Sequence, residues 1–364
     1  MRAKVNRGKP ASGIKTIADE LGLSVATVDR ALHNRGRISE ETRARVLLAA
    51  AQLEYVPNLA ARHLRLNRHY RISVNFPTTI AAFYDSLRAG IEDGIVPYRS
   101  VLELDYRSYE RGPGQAENSI QTALDAQVEG IIAAPENTLQ ISELVRKASG
   151  RSVPVIYVST DVPESGRLTA VIAHPFFCGT MAAEVLAGCL KKRGKVAILS
   201  GSLENLNHTE KIRGFRSMIA QLDPTSSVVE VVETRDDPKE AYRAIRRLMR
   251  AASPGIDGLY VTSANSIPAL EALRDLGRLE QCAIVTTDLF PELVSFIREG
   301  IVRATVYQCP EVQGKIAIRA MYEYLMEKIM PPPSIGVTPQ LVMRSNLDLY
   351  VRDSGQLSNT PLPI

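Results

Sequence analysis

Hydrophobic positions recur with two different spacings along this chain. Before residue 70 they repeat every three to four positions, as on short amphipathic helices; after it they come as brief apolar runs between longer amphipathic stretches. The first helical pattern begins at Lys15, with Ile17, Ala18 and Leu21 as its apolar stripe. Gly22 stops it, because a helix closes most readily on a left-handed residue without a Cβ. Ser24 offers a capping hydroxyl to a second helix over 25–32, whose buried face is expected at Val25, Val28 and Leu32. A third helix starts after Ser39, with Glu40 and Glu41 at its positive end and Val46, Leu47, Ala50 and Leu53 as core. Two short helices joined through one glycine form a helix-turn-helix; a plain three-helix bundle is the alternative.

In the remainder, short apolar runs over 72–76, 101–104, 130–134, 155–158, 195–199, 228–232, 258–261 and 283–286 read as strands. Helical stretches over 86–94, 116–127, 180–191, 210–220, 239–251 and 267–276 lie between them. The alternation predicts parallel sheets with helices on both faces, in two successive sets and hence two lobes. In such lobes ligands gather at the carboxyl ends of the strands, so the space between lobes is the expected binding site.

Charge changes this picture once it is divided. Residues 1–70 carry 13 Lys/Arg against 6 Asp/Glu, a net +7, which leaves −3 for the rest of a chain whose total is +4. A basic head on a mildly acidic body suits a head that meets a polyanion. No apolar leader or bilayer-length run is present, so a cytoplasmic location is expected. Cys178, Cys189, Cys282 and Cys309 lie far apart, which favours reduced, buried thiols over a zinc site or a disulfide framework. Only His174 and His208 of the five histidines fall in the body, Gly112-Pro113-Gly114 is a mere fragment of a glycine-rich loop, and no nucleophile elbow appears. No catalytic constellation, metal or cofactor is therefore expected.

The second helix exposes Ala26, Thr27, Asp29 and Arg30. Small residues let a helix sink into the major groove, and an arginine can take guanine bidentately. Arg35, Arg37, Arg43 and Arg45 stand near enough to meet phosphates. The contiguous run IADELGLSVATVDRALHNRGRISEETRARVLLAAAQLEYVPNLAARHL, residues 17–64, resembles the DNA-binding head of the lactose-repressor (LacI/GalR) family. The resemblance implies base contacts from Val25, Ala26 and Arg30, with Thr27 against the backbone and Thr16, Ser24 and Asn34 also at the DNA. Asp29 departs from the serine usual there, which bears on the operator sequence rather than on DNA binding.

Taken alone, the segment after Tyr55 is too short for a stable helix in water. The resemblance implies a hinge helix, formed on DNA beside its dimer mate, with Asn58 as cap, Ala61 at the close helix contact and Leu64 wedged between bases from the minor groove. The body, roughly residues 70–350, is similar in order and landmarks to the periplasmic sugar-binding proteins of the ribose-binding type. The expected fold is thus an all-α helix-turn-helix head plus an α/β, two-lobed periplasmic-binding-protein-like domain with parallel sheets. Its boundaries are expected at 1–56 for the head, 57–69 for hinge helix and linker, 70–352 for the effector domain and 353–364 for a tail.

The same likeness implies effector contacts from Phe83, Tyr84, Thr160, Asp161, Phe176, His208, Asn265, Asp288 and Gln308. Aromatics can stack on a sugar face, and carboxylates and amides each hold neighbouring hydroxyls. Phe83 and Tyr84 could equally pack the first helix of the body. Several positions depart from the sugar binders: Thr209 replaces an arginine, Pro175-Phe176 replaces Asp-Asn, and Ala134 replaces an asparagine. A more apolar pocket is expected as a result. The whole implies a homodimeric regulator, most simply a repressor of a catabolic operon, that binds pseudo-palindromic operator DNA and answers to a sugar or polyol. A nucleobase effector, stacked by Phe83 or Phe176 and paired by Asp288, is the alternative within that class. An enzyme with a DNA-binding head and a secreted solute-binding protein are the rivals outside it.

Overall fold

The structure is a computed structural model that describes residues 14–32, 36, 38–53, 69–135, 138–190, 193–251, 255–263 and 265–351. The chain divides into two compact units, Met1–His69 and Tyr70–Ile364. Asn34, Asn58, Ala61 and Leu64, and with them the expected hinge helix, lie outside the described residues.

The first unit contains α1 (Ile14–Leu21), α2 (Val25–Leu32) and α3 (Glu40–Gln52). Gly22 has φ 65° between α1 and α2, the left-handed turn that glycine makes without strain. The Ser24 hydroxyl accepts from Thr27 N at 3.1 Å, and the Ser39 hydroxyl accepts from Thr42 N at 3.2 Å, so each cap satisfies an otherwise orphaned helix donor. Ile17, Ala18, Val28, Ala31, Val46, Ala49 and Ala50 form the core. Two expectations are corrected here. Val25 is 49% exposed and Leu47 48% exposed, because Ala31 and Ala49 lie on the inward faces of their helices instead.

The second unit has two six-stranded sheets. The first sheet holds β1 (Tyr70–Pro77), β2 (Leu102–Tyr109), β3 (Gly130–Ala133), β4 (Val155–Val158), β5 (Thr169–Ala173) and β11 (Ser334–Val337), in the order β11-β5-β4-β3-β1-β2. The second holds β6 (Lys195–Ser200), β7 (Ser227–Glu233), β8 (Gly258–Val261), β9 (Ala283–Thr287), β10 (Val302–Tyr307) and β12 (Gln340–Val342), in the order β12-β10-β9-β8-β6-β7. All pairs are parallel except β10 with β12. The same doubly wound order thus appears twice, and the chain passes between sheets after β5, after β10 and between β11 and β12.

Both faces of each sheet are covered, as parallel strands require. In the first lobe α5 (Gln115–Asp125) and α6 (Leu139–Gly150) cover one face around Ile120, Val145 and Tyr157. The other face carries α4 (Ala81–Ile95) and α12 (Pro310–Tyr322). In the second lobe α9 (Pro238–Ala251), α10 (Ser266–Asp275) and α11 (Leu293–Arg298) pack on one face. There α7 (Pro175–Cys189) and α8 (Leu206–Leu222) cover the other, around Phe215 and Tyr260.

The α7–α8 and α4–α12 contacts are backbone contacts made through glycine. A Cβ on Gly179 would lie 1.9 Å from the Lys211 carbonyl oxygen, and one on Gly214 would lie 2.0 Å from that of Phe176. Across the first lobe, a Cβ on Gly90 would lie 2.1 Å from the Glu311 carbonyl, and one on Gly314 would lie 2.3 Å from that of Leu87. Gly179→Ala is therefore expected to cost about 3 kcal/mol or more, since a backbone obstruction cannot rotate away. Gly188→Ala, in the same helix with nothing within 4 Å of the new Cβ, should be neutral or stabilise slightly, by about 0.5 kcal/mol. Urea unfolding of the two variants checks both; equal midpoints would refute the close-packing account.

Candidate functional site

In the head, Thr16, Ser24, Val25, Ala26 and Arg30 are exposed, while Thr27 and Asp29 are half-buried. Arg30 donates from Nε to the Ala26 carbonyl at 3.1 Å, one turn back along α2. That bond lays the guanidinium along the exposed face of the helix.

The second site is built at the strand ends of the two lobes. Residues that follow β1 (Ile80, Phe83, Tyr84), β2 (Arg111), β3 (Pro135) and β4 (Ser159, Thr160) come from the first lobe. The second lobe supplies Asn205, Asn207, His208 and Lys211 after β6, Asp236 after β7, Thr262 and Ser263 after β8, and Asp288 after β9, with Gln308 after β10. The space they line measures about 500 Å³ including its open mouth. Ile80, Ser159, Asp236 and Asp288 all adopt left-handed φ between 58° and 70° without being glycine. Such backbone is unfavourable by roughly 1 kcal/mol or more per residue and collects where side chains must be held in a set position.

Polar contacts join the lobes directly. Thr160 Oγ1 donates to Asn205 Oδ1 at 2.8 Å, Asn207 Nδ2 donates to the Ser159 carbonyl at 2.7 Å, and Arg111 forms an ion pair with Asp236. At the base, Asp288 accepts from Gln308 N at 3.1 Å and from Gln308 Nε2 at 2.7 Å. Gln313 on α12 steadies this corner: Ser159 N donates to its Oε1 at 2.9 Å, and its Nε2 donates to the Gln308 carbonyl at 2.9 Å. Phe83 and Tyr84 meet edge to face, with ring centres 5.3 Å apart.

Burial sets the charge states. Asp288 is pushed up to about 6 by loss of water, against the opposing pull of Lys211. Lys211 is itself lowered by burial, and its Nζ donates to the Thr262 carbonyl at 3.2 Å. Burial also drives His208 down to about 4, so its ring is neutral at neutral pH despite the nearby Asp236. Its Nδ1 lies 3.0 Å from Thr262 Oγ1, and its Nε2 lies 3.9 Å from Asp236 Oδ2.

Of the effector residues expected from sequence, Phe83, Tyr84, Thr160, His208, Asp288 and Gln308 meet at this cleft. Three do not. Both carboxylate oxygens of Asp161 are taken by Arg167, six residues on. Phe176 lies under the Arg213 guanidinium at 4.5 Å, with its backbone against Gly214. Asn265 is buried at the start of α10, where its N–H donates to Ser263 Oγ at 3.3 Å. The expectation of a more apolar pocket is also corrected, since Arg111, Lys211, Asp236 and Asp288 all line it. Arg111 and Asp236 were hidden because β2 and β7 run on to Tyr109 and Glu233, past the apolar runs that marked them. Lys211 gives no sign in sequence, where a lysine on a helix reads as exposed.

Two opposed pH effects follow. The unfolded chain protonates His208 near 6.5 while the folded chain resists to about 4, so this residue withdraws stability as pH falls across that window. Asp288 takes its proton near 6 in the folded chain and near 3.8 unfolded, so it adds stability as pH falls over nearly the same range. His208→Gln is expected to lose less stability than wild type between pH 6.5 and 4, and Asp288→Asn to lose more, each by up to about 3 kcal/mol. Urea unfolding across this pH range decides; identical pH profiles for His208→Gln and wild type would sink the assignment.

Among the described residues no helix is long and apolar enough to cross a membrane, and no group of three or more His, Cys, Asp or Glu could hold a metal ion. Residues 72–329 match the periplasmic binding protein domain, and residues 13–58 match the bacterial regulatory proteins of the lacI family. The chain is 23% identical over 346 residues to the HTH-type transcriptional repressor PurR of Haemophilus influenzae (strain PittGG), covering 92% of this chain and 98% of the relative. It is 28% identical over 262 residues to the ribose operon repressor of Bacillus subtilis, covering 72% and 75%. Among solved structures, a solute-binding protein of an ABC transporter from Burkholderia graminis, in complex with D-arabinose, superimposes with a TM-score of 0.72 at 21% identity over 78% of this chain and 99% of that one. The chain belongs to the lacI family of bacterial regulatory proteins and joins their DNA-binding head to a periplasmic binding protein domain.

Proposed function

We propose that this regulator is a cytoplasmic, non-enzymatic homodimer that represses its target genes and is controlled by an uncharged, hydroxyl-rich effector, a sugar or polyol, held between the two lobes. One observation carries the reading: both lobes present hydrogen-bonding side chains to a single cleft, with Asp288 and Gln308 locked together at its base. Carboxylate and amide groups fixed in this way suit adjacent hydroxyls, which each donate and accept. A ligand that touches both lobes can change their relative angle, and linkage then ties effector binding to operator affinity in both directions. The name of the ribose operon repressor, and the D-arabinose held by the similar solute-binding protein, favour the same chemistry. A nucleobase is the second reading, favoured by the Phe83–Tyr84 pair, whose faces can stack a flat ring.

A thermal-shift series with sugars, polyols and nucleobases at millimolar concentration, repeated as gel shifts on upstream DNA, tests this. A sugar or polyol is expected to raise the melting temperature and change operator affinity. Stabilisation by a nucleobase alone selects the second reading, and no stabilisation by any of them removes the sensor assignment. In the head, Arg30→Ala is expected to weaken operator binding by about tenfold or more, the size of one guanine contact. Unchanged gel-shift affinity for this variant would remove Arg30 from base recognition.

A further inference from the structure

We propose that Arg111 and Asp236 form a latch across the cleft, an ion pair between two otherwise independent loops that opposes lobe opening in addition to the hydrogen bonds made by Asn205 and Asn207. Arg111 stands two residues beyond β2 in the first lobe, and Asp236 stands three beyond β7 in the second. In each sheet that strand is the one outside the first, so the two loops hold equivalent places in their lobes and face one another. Parting the lobes must therefore part these two side chains.

Three features mark the pair as built for this place. The Asp236 side chain is 2% exposed and the Arg111 side chain 25%, so the contact is shielded from water and salt. Asp236 and its neighbour Arg235 have φ of 59° and 51°, two consecutive left-handed non-glycine residues, and the turn they make carries the carboxylate to the cleft. On its own side of the cleft Arg111 interacts electrostatically with Tyr84. The nearby imidazole of His208 is neutral and cannot replace the guanidinium.

Removal of one partner leaves a charge buried without its counter-ion, a loss the open arrangement relieves by restoring water. Neutral variants at either position should thus shift the lobes toward opening. The inference concerns the cleft described above, and its test uses no effector, so its failure and the failure of the sensing assignment are separable.

The test is a pulsed-EPR distance between spin labels on Cys189 and on an introduced Leu139→Cys. Cys189 is exposed in α7 of the second lobe, and Leu139 is 82% exposed in α6 of the first, while Cys178, Cys282 and Cys309 are buried. Labelled full-length chain is mixed with excess unlabelled chain, so that distances within one chain dominate. Arg111→Gln and Asp236→Asn are each expected to lower the ratio of short to long distances by roughly fivefold or more, the lower end of coupling between linked sites. The double variant should shift no further than either single one, because both remove the same contact. Wild-type distances in the single variants, or shifts that add in the double, overturn the latch. If Asp236→Asn fails to fold, Arg111→Gln alone decides, since Arg111 is the partly exposed member.

Discussion

At Gly179 and Gly214 the backbones of α7 and α8 touch, and at Gly90 and Gly314 those of α4 and α12 do the same. These contacts place most of the cleft. The Gly179 contact falls on the Lys211 carbonyl, which fixes the first turns of α8 and with them Asn207, His208 and Lys211. On the other side, α4 begins with Phe83 and Tyr84, and α12 carries Gln313 to its bonds with Ser159 and Gln308. Each pair also follows a passage of chain from one lobe to the other, because α7 begins just after β5 and α12 just after β10. A helix set one methyl further out would shift the cleft side chains and the inter-lobe connections together.

The charges inside the cleft depend on that placement. Two basic and two acidic side chains line it, and each is met by groups that burial has stripped of water: Arg111 by Asp236 and Tyr84, Asp288 by Gln308 and Lys211. His208 stays neutral beside them. The donors and acceptors of the cleft are thus held in set directions by neighbouring groups.

Much of this was legible in the residues. Gly22, Ser24 and Ser39 marked the head's helix boundaries through local chemistry that tertiary packing does not alter. The apolar runs marked β1, β3, β4, β6, β8 and β9, because a strand covered on both faces has no polar side. The equally interior β5 and β10, whose apolar residues are interrupted by Thr169, Arg303 and Thr305, were missed. Edge strands were less visible: β2 alternates Glu103, Asp105 and Arg107 with its inward residues, so only its start read as strand. The site followed the same division. Asp288 stands at the end of a buried strand that the sequence marked and Gln308 was reached through the family resemblance, whereas the roles of Arg111, Asp161 and Asp236 are decided by their partners in the fold. Leu47 shows the limit within one helix, where alanines on the inward face left the larger side chain outside.

The three passages between lobes also bear on the order in which the protein can assemble as it is synthesised. The head is one continuous stretch and is complete before the body begins. Neither lobe is. The first lacks α12 and β11 until residue 337 has been made, and the second lacks β12 until residue 342. Most of the first sheet therefore waits, one face lacking the second of its two helices, while the whole second lobe but its last strand is made. A growing chain can thus own a finished head for a long interval before it owns a finished sensor.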